Sequence, residues 1–161
     1  MSEYRPAWEY EIEEAIAVVK AVWDCESANQ FFLEINPTQQ YLGPLADSRF
    51  APMDLVVVAK DEEKIVGIIM LNEPTIDFDI FGITWLCVLE EYRGRGHGTM
   101  LLRTAERLAK LQREQYPLWD SDKRRTFIHA VTQSPQLYAN LDYDVLTSWG
   151  PSKYLMSKEI I

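Results

Sequence analysis

The residues best suited to chemistry fall in one turn, Arg93-Gly94-Arg95-Gly96-His97-Gly98-Thr99, set between an apolar run and a long periodic one. Glycine lets a backbone approach a ligand closely and take positive φ. A helix start presents unpaired N–H groups with partial positive charge. With two arginines alongside, the turn reads as an anion cradle suited to a pyrophosphate. It is not a P-loop, because Gly-x-x-x-x-Gly-Lys-Ser/Thr is absent. Nor is it a dinucleotide fingerprint: Gly94-x-Gly96-x-Gly98 has the wrong spacing, and the strands before it form a hairpin instead of a parallel βαβ unit. His97 reads as an exposed loop residue. Cys87 lies in an apolar run with no histidine beside it and reads as a small core residue, not a nucleophile. His129 has the intrinsic pKa of a candidate base, against the alternative of a hydrogen-bonded strand histidine. Glu73, Asp77 and Asp79 are solvated loop carboxylates, or else hold a water chain or a cationic ligand. The cysteines, Cys25 and Cys87, make neither a disulfide framework nor a metal cluster, so no metal is expected.

These residues need a frame that 161 residues can supply as one domain, 1–161, with a real core. Residues 2–8 read as extended. Ile12, Ala15, Ile16, Val19, Val22 and Trp23 recur at helical spacing to about Cys25, and Ser27–Ile35 reads as a shorter second helix. Asn36–Pro52, with Pro37, Gly43, Pro44 and Pro52, reads as an irregular binding segment. Leu55–Lys60 and Ile65–Leu71 flank the turn Asp61-Glu62-Glu63-Lys64 as an antiparallel hairpin. Phe81–Leu89 is a third long strand, and Met100 to Leu111 forms a helix that ends before Pro117. Thr126–Val131 is a strand, Ser134-Pro135 opens a short helix holding Leu137, Tyr138 and Leu141, and residues 144–149 and 153–159 are strands around Gly150-Pro151. The class is α+β (α/β/α), a mixed, mostly antiparallel sheet of six to seven strands flanked by helices. Trp23, Trp85, Trp119 and Trp149 read as core, while Trp8 and Tyr10 are candidates for an acceptor pocket.

Arg93-Gly94-Arg95-Gly96-His97-Gly98 after a strand resembles the Arg/Gln-x-x-Gly-x-Gly/Ala signature of the GNAT superfamily of acyl-CoA-dependent N-acetyltransferases. Leu86 to Arg93 is similar to that family's strand and loop entry, with Glu90 where proline is usual. Tyr4-Arg5-Pro6-Ala7 is similar to its first strand. Leu137-Tyr138-Ala139-Asn140-Leu141-Asp142-Tyr143 resembles its Leu-Tyr-x-x-x-Gly-Phe segment, with Asp142 and Tyr143 in place of Gly and Phe. The resemblance implies a GNAT-like fold and acetyl-CoA as donor. Backbone groups of Leu86, Cys87 and Val88 would pair with the pantetheine arm. The turn Arg93, Gly94, Arg95, Gly96, His97, Gly98 and Thr99 would hold the pyrophosphate. It also implies an amine acceptor, a small cationic molecule or a protein amino group. Tyr138 is then the proton donor to the departing thiolate, a role open to a phenol of pKa near 10 at close range. An alkyl ammonium has a pKa near 10.4, so the attacking nitrogen must first be freed of its proton, and His129 is the candidate base. The different-class alternative is an inactive CoA-binding regulatory or interaction module.

Charge bounds the partners. The net charge is −9, which argues against nucleic-acid binding, yet Arg93–Arg125 carries nine basic against four acidic residues, a net +5 that leaves −14 elsewhere. The basic stretch is expected to face CoA phosphates, and the acidic remainder favours a cationic acceptor. No run has the roughly 18 apolar residues of a membrane span, and Met1-Ser2-Glu3-Tyr4-Arg5 lacks secretory-signal features. A cytoplasmic protein without membrane contact is expected, with a sheet edge that can support a homodimer.

Overall fold

The computed structural model describes residues 1–23, 55–72, 80–115 and 125–160. The expected helix at Ser27–Ile35, the irregular segment Asn36–Pro52, and Glu73, Asp77, Asp79 and Trp119 lie outside those residues. Strand β1 (Ser2–Pro6) leads through a single 3-10 turn, Glu9–Glu11, into helix α1 (Ile12–Val22). The hairpin β2 (Leu55–Asp61) and β3 (Lys64–Leu71) follows, then β4 (Ile80–Val88), α2 (His97–Gln115) and β5 (Thr126–Thr132). A short helix α3 (Pro135–Ala139) precedes β6 (Asp144–Trp149) and β7 (Lys153–Ile160).

The strands make one seven-stranded sheet in the order β1-β2-β3-β4-β5-β7-β6. Every neighbouring pair is antiparallel except β4–β5, which is parallel. β2 and β3 read as unbroken apolar runs because both of their faces are covered. On one face Val56, Val58, Ile65, Ile68 and Met70 meet Ile12, Ala15, Val18 and Val19 of α1. On the other, Val57, Val66, Ile69 and Phe81 meet Leu101, Leu102, Ala105, Leu108 and Ala109 of α2. The amphipathic period of α1 and the apolar stripe of α2 thus build two cores, one on each side of the sheet. β6 ends the sheet with all of its residues exposed, Trp149, expected in the core, among them. No described helix is long and apolar enough to cross a membrane.

Two irregularities in β4 position the site. From Met70↔Thr84 to Ile68↔Cys87, β3 advances two residues while β4 advances three, so β4 carries a bulge. Trp85 lies in it at φ +58. β4 and β5 pair only from Ile80↔Phe127 to Ile83↔Ala130. Beyond that point the parallel strands part, and Thr84–Val88 have no β5 partner. The bulge twists β4 away at the place where the pairing stops, and the sheet is split down its middle.

Candidate active site

A cleft of about 800 Å³ occupies the split. Its walls are Ile83–Val88 of β4, Val131 and Thr132 of β5 with Gln133 and Ser134 after it, Leu137 and Tyr138 of α3, the turn from Tyr92 to Thr99 except Arg95, and Val22 and Trp23 at the end of α1. Past the end of its pairing with β5, one edge of β4 therefore faces an open channel, which is the geometry that accepts an extended ligand as an extra strand.

The channel runs into the glycine turn. Gly94 and Gly96 hold φ of +77 and +87, and apart from their own chain neighbours no described atom lies within 4 Å of where a Cβ on either would stand. The first backbone bond of α2 here runs from the Met100 N–H to the Gly96 carbonyl, so the amides of His97, Gly98 and Thr99 precede the helical ladder. These amides and the helix dipole make the turn a seat for an anion. The arginines brace it: Arg93 Nε donates to the Val88 carbonyl at 3.0 Å, and Arg95 Nη2 to the Glu91 carbonyl at 3.2 Å, with its guanidinium 5.1 Å from the Tyr92 ring centre. Arg93 lines the cleft; Arg95 does not.

His97 overturns its expected exposure. It is 4% exposed, and its Nδ1 shares a 2.9 Å hydrogen bond with the Tyr4 hydroxyl, while Tyr92 packs edge-on against its ring. As the first residue of α2 it turns inward, so β1, at the far edge of the sheet, is tied to the anion seat. Cys87 lines the cleft but is 6% exposed, and burial pushes its thiol up to about 12, so it stays a neutral, inert core group.

Tyr138 is 4% exposed, and burial pushes its phenol up to about 12. Its hydroxyl has no hydrogen-bond partner among the described residues, while its carbonyl accepts the amides of Leu141 and Tyr143. Tyr143 packs edge-on against it, ring centres 5.3 Å apart, and Tyr143 donates to Glu106, which Lys158 neutralises at 2.9 Å. Asp142 takes φ +69 in the turn between them, so an aspartate carries the left-handed position. A protonated phenol, held rigidly and with a donor to spare, is thereby aimed from the α2 side of the sheet.

His129 is half-buried on β5, and burial lowers its pKa, which favours the neutral imidazole. It alternates with Ile128 and Ala130, which belong to the α2-side core, so it faces the α1 side and does not line the cleft. Tyr10 is 78% exposed, and neither it nor Trp8 reaches the cleft; Trp8 instead lies under the Arg5 guanidinium. The basic helix also departs from expectation: Arg103, Arg107 and Lys110 are exposed on α2 and none lines the cleft. Their helical spacing sets them opposite the stripe Leu101, Leu102, Ala105, Leu108 and Ala109. Trp85, expected in the core, does pack against the α1-side core but also lines the cleft, because it lies in a left-handed bulge that has no residue signature; Trp23, also expected in the core, is 45% exposed on the cleft wall. Among the described residues no three His, Cys, Asp or Glu side chains converge as metal ligands would.

The acetyltransferase (GNAT) domain family matches residues 52–145. Comparison with curated proteins finds no match. Among solved structures, the aminoglycoside 6'-N-acetyltransferase from Enterococcus faecium is 15% identical, with 100% of this chain and 97% of that one covered and a TM-score of 0.69. PaiA N-acetyltransferase from Thermoplasma acidophilum, in complex with coenzyme A, is 16% identical, covering 99% of each chain at a TM-score of 0.68. The Escherichia coli GNAT family N-acetyltransferase YhbS, in complex with CoA, is 16% identical, covering 99% of this chain and 82% of that one at 0.67. The likeness is one of fold.

Proposed function

The chain belongs to the GNAT acetyltransferase family, and from that premise we propose that it transfers an acetyl group from acetyl-CoA to a primary amine by direct attack in a ternary complex. The observation that carries this reading is the buried Tyr138 hydroxyl, without a hydrogen-bond partner among the described residues, on the wall of a channel that joins the β4 edge beyond its β5 pairing to an anion seat. The residues fit the donor along its length. Leu86, Cys87 and Val88 line the strand edge for the pantetheine arm, though the Val88 carbonyl is already taken by Arg93. The amides from Gly94 to Thr99 meet the pyrophosphate. When bound, the donor supplies an acyl carbon activated as a thioester.

The rest is work for the protein. The amine attacks as the neutral species, its nitrogen forming the new bond to the acyl carbon as the carbon–sulfur bond breaks. The electron pair of that bond leaves on sulfur, and Tyr138 gives it a proton. The proton released by nitrogen passes to solvent, since His129 stands off the cleft wall, and solvent restores the Tyr138 hydroxyl. Because its phenol lies near 12, Tyr138 stays loaded with a proton across the working pH range.

Tyr138→Phe tests the assignment. Thiol release with a panel of amines should fall by about 100-fold, the usual scale for losing a positioned general acid, while CoA affinity by calorimetry stays near wild type. An unchanged rate would remove the role from Tyr138. CoA binding with no thiol release from any amine would identify a binding module instead.

A further inference from the structure

Trp85 is a bulky residue held at φ +58, a conformation that side chains of its size rarely adopt. Its ring packs edge-on to Trp23, with centres 5.5 Å apart and planes at 76°. Both rings line the cleft, and Trp23 is 45% exposed at the end of α1. Their side of the sheet matters. Trp85 packs on the α1-side core, whereas Leu137 and Tyr138 belong to the α2-side core. The split in the sheet thus has a proton-donating side and, opposite it, an aromatic side. An amine attacking at the split while Tyr138 serves the leaving sulfur approaches from the aromatic side.

The described cleft wall holds no Asp or Glu, and its one charged side chain is Arg93. The aromatic rings are the described wall groups that attract a cation, through the negative face of the ring. That attraction cannot serve the reacting nitrogen at the moment of attack, since it must then be neutral. It can serve a second nitrogen that keeps its proton. We propose that Trp23 and Trp85 form a recognition platform for the second, non-reacting ammonium of a diamine-type acceptor. The proposal rests on the acetyl-transfer reading and names the acceptor class for that site. The net charge of −14 outside Arg93–Arg125 draws such a dication from a distance, within the reach set by salt.

The probes are 1,5-diaminopentane and 1-aminopentane, equal in length and different in the second charge. In Trp23→Leu, kcat/KM for the diamine should fall roughly three- to tenfold more than for the monoamine. The loss should sit in the KM for amine, with Trp23→Phe restoring most of it. Equal losses on both amines, or none, would overturn the platform. Calorimetric binding of 1,5-diaminopentane to the CoA-loaded protein gives a readout free of turnover. Binding that Trp23→Leu weakens supports the platform even where no acetyl transfer is seen, which would sink the enzymatic reading alone. A CoA-loaded wild-type protein that does not bind the diamine would sink the platform.

Discussion

Gly96 and Gly98 sit two residues apart and carry different burdens. Gly96 holds φ +87 with open space where a side chain would begin. Gly96→Ala therefore meets no clash within the protein but takes the left-handed penalty of about 1 kcal/mol. Its methyl projects at the anion seat, so CoA affinity should drop roughly tenfold, equal to about 1.4 kcal/mol. Gly98 lies in α2 without positive φ, and an added Cβ would meet Leu137 Cδ2 at an ordinary 3.6 Å. Gly98→Ala should keep or slightly raise stability, since alanine is the better helix former. Thermal unfolding and CoA calorimetry on both variants check the contrast; equal stability losses would contradict it. At this scale much was legible. Arg93 to Thr99 stood out by glycine spacing and Tyr138 by its place in a Leu-Tyr-x-x-x-Gly-Phe-like segment, and the cleft wall includes Tyr138 and all of that turn but Arg95. The settings of His97 and Trp85 were not legible, because burial at a helix start and left-handed backbone at a tryptophan are set by the packing of distant elements.

The hairpin β2–β3 turns through Glu62 and Glu63 between the paired residues Asp61 and Lys64. Glu62 stands at φ +56, the first position of a two-residue turn, where glycine is the preferred residue. Glu62→Gly removes a strained Cβ but adds freedom to the unfolded chain. The left-handed penalty is the larger of the two, so the variant should gain about 0.5 kcal/mol, or about 1–2 °C in Tm. A lower Tm would show that the turn is not the strained element it looks to be. Strands, helices and this hairpin were readable because period 2, period 3.6 and turn chemistry are local. The bulge in β4 and its early parting from β5 were not, since they are properties of a pair of strands and not of either one. They make the cleft, so the least legible feature of the fold is the one that shapes its candidate site. The basic helix shows the same limit: its charge was counted correctly, but the facing of Arg103, Arg107 and Lys110 follows from which stripe of α2 the sheet buries.

For the molecule as a whole, the acidic character hides one carboxylate of a different kind. Glu11 is 2% exposed and ties β1, the turn after it and β2 together. Arg5 reaches it at 2.7 and 3.1 Å, Lys60 at 3.1 Å and the Trp8 amide at 2.9 Å. Burial alone would raise the Glu11 carboxyl; the hydrogen bonds from Arg5, Trp8 and Lys60, with the charge of Arg5, more than offset it and bring it down to about 2. The unfolded chain takes up this proton near the ordinary 4.5, the folded chain only near 2. Between those values the unfolded state holds the extra proton, so falling pH favours unfolding there, and above about pH 5 the contribution is complete and flat. Because Arg5 keeps some contact with solvent, the contribution is about 2–3 kcal/mol. Glu11→Gln should therefore lose about that much at pH 7, having left two cations without their partner. Its unfolding free energy, followed by urea at pH 3, 4, 5 and 7, should then fall less steeply toward acid than that of wild type, the two converging near pH 2. Parallel curves would mean that the acid sensitivity of the fold lies in its surface carboxylates and not in the clasp at Glu11. The clasp lies apart from the cleft, on the strand whose Tyr4 holds His97 beneath the anion seat. As β1 loosens in acid, the Tyr4 contact should go with it, and CoA affinity should weaken over the same pH interval in wild type.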